Sequence, residues 1–415
     1  MGWSWKHGAV LRQQWIAGGV TAAHGFAASG VSAGIKRGKK LDLALVVSDA
    51  PATAAGVFTT NAVQAAPVQL SRARLRGGRA RAVLINSGNA NCLTGARGLR
   101  DAQALGQDVA DALGIHEHHV LLASTGIIGQ YLPLQRMRRS IPALIQQADR
   151  QGHAQAARAM LTTDTGTKEV AVSDRIGGSV CRLGGMAKGA GMMAPHMATM
   201  LCVLTTDVAI DHRLLSELLR EAVQDSFNRI SIDGEMSTND SVLILANGRS
   251  GVKIPRHSPA ATQFGSMLSL ATRRLARLLI EDGEGTTCVA YVGVAGARTQ
   301  AQARGCARQV ASSPLVKTML AGADPNIGRI AAAVGASGAF FDPQKLQIRI
   351  GGLGTVVRAG TLRSFDAARA RQCLRPRPPV YPAIYIDLHA GGAAAWMLMS
   401  DLTEEYVRMN ARYST

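Results

Sequence analysis

Near the middle of the chain, Lys188-Gly189-Ala190-Gly191-Met192-Met193-Ala194-Pro195-His196-Met197-Ala198-Thr199-Met200-Leu201 runs from a glycine-rich loop through Ala198-Thr199 into an apolar stretch. A threonine hydroxyl can attack the carbonyl carbon before it when the backbone bends back. Glycines permit that geometry, and Ala198 offers little bulk against it. Water hydrolyses the resulting ester. Thr199 then begins a new chain, and its α-amino group, with an ordinary pKa of roughly 7.7 to 8.0, can take the proton from its own hydroxyl near neutral pH. The layout is that of a self-cutting chain with an N-terminal nucleophile, and it needs no histidine. Local chemistry alone also allows an ordinary loop entering a strand. It does not allow a dinucleotide fingerprint, because the third glycine and the strand-turn-helix context are missing.

The stretch Lys188–Leu201 resembles the self-cleavage segment of the ornithine acetyltransferase family, also called glutamate N-acetyltransferases. Other segments resemble that family in the same order. They are Phe58-Thr59-Thr60-Asn61 with Ala65-Ala66-Pro67-Val68, Asn86-Ser87-Gly88-Asn89-Ala90-Asn91-Cys92, Ser124-Thr125-Gly126-Ile127-Ile128-Gly129, Asp233-Gly234 with Ser237-Thr238-Asn239-Asp240, Asp282-Gly283-Glu284-Gly285, Asp324-Pro325-Asn326 with Gly328-Arg329-Ile330, and the terminal Asn410-Ala411-Arg412-Tyr413-Ser414-Thr415. The resemblance implies cleavage between Ala198 and Thr199, with Thr199 as the nucleophile of both cleavage and acyl transfer. It implies an oxyanion hole at Thr125 and Gly126, where each donor is worth about 3 to 4 kcal/mol in comparable enzymes. It assigns substrate contacts to Thr162, Lys188, Thr199, Glu284, Asn410 and Thr415, with Lys188 suited to a carboxylate and Glu284 to the amino group of ornithine.

The activity so implied moves acetyl from N2-acetylornithine to glutamate in arginine biosynthesis. No metal or cofactor belongs to it, although acetyl-CoA serves some members as a co-substrate. The partners implied are small amino acids and a second copy of each fragment, in a heterotetramer of two and two. Thr162 is ambiguous because Thr163 and Thr165 lie beside it, and Glu284, Asn410 and Thr415 would otherwise read as turn or tail residues. Ile327 replaces the aromatic residue usual after Asp-Pro-Asn, and Ala395–Ser400 is bulkier than the family's pattern. Residues 1–17 match nothing in that pattern, which an upstream start site would explain.

Composition excludes several other classes. The formal charge of +18 invites a nucleic-acid reading, but aromatic residues make up only 4% and no recognition motif accompanies the scattered arginines. The clusters Arg72–Arg81 and Arg369–Arg377 read as solvated faces. Six cysteines without a Cys-x-x-Cys pair read as buried thiols, and no 18-residue apolar span or secretory leader is present, so a reducing cytoplasm is expected. His116-Glu117-His118-His119 lacks helical metal spacing and reads as a solvated turn.

These residues need a scaffold of alternating strands and helices. Leu43–Val47, Ala82–Ile85, Met200–Thr205, Val242–Leu245, Val289–Val294 and Ile384–Leu388 read as strands, several of them apolar on both faces. His212–Phe227, capped by Asp211, and Gln263–Glu281 read as amphipathic helices. Both halves contain both element types. The expected fold is α/β (α+β), with stacked sheets sandwiched by helices. The αββα assignment comes from the resemblance, as does the division into fragments 1–198 and 199–415 forming one catalytic unit.

Overall fold

The structure is a computed structural model that describes residues 13–192, 200–375 and 380–412. Its larger sheet has nine strands. Edge to edge they run Gln14–Trp15, Lys168–Ile176, Ser179–Lys188, Leu201–Thr206, Ser241–Ala246, Leu43–Phe58, Arg79–Asn89 and Val120–Ile127, and Phe26–Val31 also pairs with Leu43–Phe58. The expected strands Leu43–Val47, Ala82–Ile85 and Val242–Leu245 fall inside these elements, and Met200–Thr205 overlaps Leu201–Thr206, while Val289–Val294 and Ile384–Leu388 correspond to strands Val289–Ala297 and Ala383–Asp387 of a second sheet.

Leu43–Phe58 is long because it serves two neighbourhoods. Residues 43–48 pair with Phe26–Val31, and residues 53–58 pair with Ser241–Ala246. Between Val47 and Ala52 its register against Arg79–Asn89 slips. Such an irregularity bends a strand and increases its twist. The sheet folds over it, so that Ala44, Val46, Val83, Ile85, Leu121 and Ala123 of one half meet Met186, Leu201, Val203, Leu243 and Leu245 of the other in a common core.

Strand alternation sends the intervening residues outward. Leu43, Leu45, Leu84 and Leu122 pack under helices Gly95–Leu113 and Leu134–Gln146 through Leu105, Val109, Met137 and Ile141. On the opposite outer face Cys202, Leu204, Val242 and Ile244 pack under His212–Gln224 and Pro259–Glu281 through Leu215, Leu219, Met267, Leu268 and Leu275. Helix, sheet, sheet and helix follow in that order, as the resemblance implied.

A second, seven-stranded sheet lies beyond Pro259–Glu281 and presents Val289, Tyr291 and Leu398 to that side. Its other face, with Ala290, Val292 and Val294, carries helices Gln300–Ala311, Pro314–Ala321 and Ile327–Gly335.

Local signals explain the helix ends. Asp211 accepts from the N–H groups of Arg213 and Leu214, and Ser258 accepts from that of Ala261. The helix expected over His212–Phe227 ends at Gln224, and Phe227 lies in a one-turn 3-10 element at Phe227–Arg229. The reading of Arg72–Arg81 as a solvated face fails at Arg74. Its buried guanidinium donates to the Val120 carbonyl at 2.6 Å and pairs with Glu117 at 3.3 Å, tying helix Ala66–Arg74 to the strand beneath it. The His116–His119 segment is a short 3-10 turn leading into Val120. The terminal stretch holding Asn410 is not a frayed tail but helix Glu404–Arg412. Among the described residues no helix is long and apolar enough to cross a membrane.

Candidate active site

Three of the sequence motifs meet where strand ends from the two halves of the folded sheet come together. Residues 86–88 pair in parallel with residues 124–126, so Ser124-Thr125-Gly126 is strand, not turn. Gly126 has φ +130°, and a Cβ there would stand 2.3 Å from the carbonyl carbon of Gly88, so a side chain is excluded twice. Ser124 donates to Asn86 Oδ1 at 2.6 Å. Asn239 Nδ2 donates to the carbonyls of Ala90 and Ser124 at 2.7 and 2.8 Å, fastening the Ser237–Asp240 motif onto both strands. Thr125 is buried at their junction.

Facing them, strand Ser179–Lys188 ends on a lysine whose backbone is in register with Leu201. The Lys188 side chain is 2% exposed, and its Nζ donates to Thr162 Oγ1 at 2.8 Å and Thr125 Oγ1 at 3.4 Å. Thr125, Thr162 and Lys188, far apart in sequence, thus form one hydrogen-bonded group. Beneath it lies Asp164, whose carboxylate is 3.8 Å from Lys188 Nζ. Burial alone would raise this carboxyl, but Lys188, Lys168 and the Gly189 N–H pull it down to about 2. Burial lowers the Lys188 ammonium, with Asp164 opposing.

The remaining assigned residues gather on the other side of the glycine segment. Glu284 Oε1 accepts from Thr163 Oγ1 at 2.6 Å, and Oε2 accepts from Asn410 Nδ2 at 2.8 Å. The Glu284 N–H donates to Ala190 O at 2.7 Å, and a Cβ on Gly191 would stand 2.6 Å from Glu284 Oε2. A side chain at position 191 would displace the Glu284 carboxylate from this position.

Ala198, Thr199 and Thr415 lie outside the described residues. Met200, the next residue after Thr199, is buried, and its N–H donates to Asp240 Oδ1 at 3.0 Å. Burial raises the Asp240 carboxyl well above the usual range, and Oδ2 meets no hydrogen-bond partner among the described residues.

Sequence reasoning missed Thr163, Asp164, Lys168, Asp282 and Asp240. Asp164 and Lys168 carried a faint signal, an opposite-charge pair four residues apart, but their segment is not a helix and the spacing has no meaning without the fold. A groove of about 2280 Å³ between Trp15 and Trp396 contains none of these residues.

The sequence matches the ArgJ family over residues 27–415. The chain belongs to the ArgJ family. It is 47% identical to a protein of Symbiobacterium thermophilum described as arginine biosynthesis bifunctional protein ArgJ, covering 97% of this chain and 100% of that one. A protein of Thermosynechococcus vestitus with the same description is 45% identical over 97% of this chain and 99% of its own. Among solved structures, an ornithine acetyltransferase of Mycobacterium tuberculosis, complexed with ornithine, is 38% identical with a TM-score of 0.42, covering 45% of this chain and 99% of that one. Family membership accounts for the order of the motifs, and the geometry places motifs from both halves of the chain together.

Proposed function

We propose that this ArgJ-family chain cuts itself between Ala198 and Thr199 and then moves acetyl from N2-acetylornithine to glutamate through an acetyl ester on Thr199. The Thr199 hydroxyl attacks the acetyl carbonyl, and its proton passes by way of the new α-amine to the departing ornithine nitrogen as the amide C–N bond breaks. Glutamate's amine then attacks the ester, a new amide forms, and the threonine hydroxyl is restored. Thr125 and Gly126 stabilise the oxyanion in each half. Lys188 meets a substrate carboxylate, Glu284 with Asn410 meets the amino group of ornithine, and Thr162 and Thr415 complete the contacts.

One observation carries this reading most directly. The buried Lys188 ammonium is hydrogen-bonded to Thr125 and Thr162 from the end of a strand in register with Leu201, two residues beyond Thr199. A substrate carboxylate arriving there would hold its acyl group close to the chain position of the nucleophile. The relatives' shared description as bifunctional supports acetyl-CoA as a second donor. Fragments 1–198 and 199–415, paired as two of each in the cytoplasm, complete the proposal.

Purified protein incubated with N2-acetylornithine and glutamate should yield N-acetylglutamate, whereas free acetate alone would make it a hydrolase. Acetyl-CoA in place of acetylornithine tests the second donor. Intact mass should give pieces ending at Ala198 and starting at Thr199. Thr199→Ala should leave one uncut, inactive chain, and full transfer by that chain would overturn the mechanism.

A further inference from the structure

We propose that Asp164 is a positioning residue for this reaction: its carboxylate holds the Lys188 ammonium charged and aimed at the substrate carboxylate, and fixes the first glycine of the segment leading to Thr199. The proposal rests on the acetyl-transfer reading for what Lys188 binds. The arrangement itself is independent of that reading.

The Asp164 side chain is fully buried, as a lone carboxylate could not be without several donors. It has four. Oδ1 accepts from Lys168 Nζ at 2.6 Å and from the Gly189 N–H at 2.7 Å, while Oδ2 accepts from the Thr162 N–H at 3.1 Å and faces Lys188 Nζ at 3.8 Å. Two of these four partners, Thr162 and Lys188, are assigned substrate contacts, and a third, Gly189, follows Lys188 directly. Lys168 in turn bonds Asp282, which accepts from the N–H and hydroxyl of Thr165. Charges alternate along Lys188, Asp164, Lys168 and Asp282, and the network ends two residues before Glu284.

A buried ammonium without an opposite charge loses its proton, because desolvation penalises the charged form. Lys188 is faced by Asp164 and Lys168 from the segment before and into strand Lys168–Ile176, by Glu284 from the loop after helix Pro259–Glu281, and by Asp240 from the approach to Ser241–Ala246. Lys36 adds a further positive charge, held by the carbonyls of Leu41 and Leu161. Burial pushes the Asp240 carboxyl up, weakening it as an anion, and Glu284 is engaged by Thr163 and Asn410. Asp164 is thus the main anion holding Lys188 in its charged form, and Lys168 is the main opposing cation.

Two substitutions should move the system in opposite directions. Asp164→Asn removes the anion, so the pH at which KM for N2-acetylornithine begins to rise should fall by about 1 unit or more, the usual effect of one close opposite charge. Each unit corresponds to about a tenfold rise in KM at a fixed pH above that point. Lys168→Met removes a like charge, so the same limb should move to higher pH. KM should carry these changes more than kcat. Loss of packing cannot produce opposite shifts, and the second variant decides the matter if Asp164→Asn fails to fold. A direct readout is the titration of ε-13C-lysine-labelled protein, with Lys188 assigned by Lys188→Met. Unmoved Lys188 midpoints in both variants, or pH profiles that only scale down, would overturn the proposal. A wild-type protein that transfers no acetyl would instead sink the functional reading, and the lysine midpoints would still judge Asp164.

Discussion

Asp240 shows how one residue can be legible as a motif letter and opaque in chemistry. Its place in Ser237-Thr238-Asn239-Asp240 was part of the resemblance, yet only the fold reveals a fully buried carboxyl whose Oδ1 receives the Met200 N–H. Burial raises its pKa, so the folded chain keeps it protonated at a pH where the unfolded chain has ionised it, above about 3.9. The unfolded state then binds fewer protons, and stability contributed here is lost as pH rises toward the folded value. Asp240→Asn keeps the acceptor and removes the ionisation. The variant should melt at a higher temperature than wild type near pH 8, with the gap closing toward pH 4. A gap that widens toward acid would mean that the folded carboxyl is charged.

At the scale of elements, helix Ala66–Arg74 is held to strand Val120–Ile127 by more than apolar packing. Arg74 bonds the Val120 carbonyl, Ser71 exchanges hydrogen bonds with the backbone of Leu122, and the same strand runs on to Thr125 and Gly126. The helix therefore fixes the strand that carries the proposed oxyanion donors. Arg74→Ala leaves a buried carbonyl and Glu117 without their donor. It should cost about 2 kcal/mol in denaturant unfolding, where a solvated arginine would cost within about 0.5. A loss inside that smaller range would restore the solvated reading.

Across the whole molecule, the proposed cut falls between elements that cannot part. Leu201–Thr206 lies between Ser179–Lys188 on one side and Ser241–Ala246 on the other, and Leu43–Phe58 continues the sheet from there. A break before Leu201 severs a covalent link while leaving both ladders and the shared core intact. The mature protein should give two bands under denaturing conditions and one peak in gel filtration. Fragments 1–198 and 199–415 should co-elute until denaturant melts them together. Separation in native buffer would refute the single intertwined unit.

The sequence by itself determined several central strands, because runs such as Leu43–Val47 and Val242–Leu245 are apolar on successive residues and are buried on both faces, but not Phe26–Val31, Lys168–Ile176 or Ser179–Lys188. It determined the Asp211 cap, and through its motifs the family. The tertiary structure alone decided which side chains share a site. Lys188 meets Thr125 because the sheet folds over the irregular stretch in Leu43–Phe58 and brings strand ends together from distant parts of the chain, while Asp164 meets Lys168 and Gly189 because the antiparallel pairing of Lys168–Ile176 with Ser179–Lys188 sets Lys168 opposite Ala187. Contacts of that kind depend on register and burial, and no local pattern of residue types encodes either.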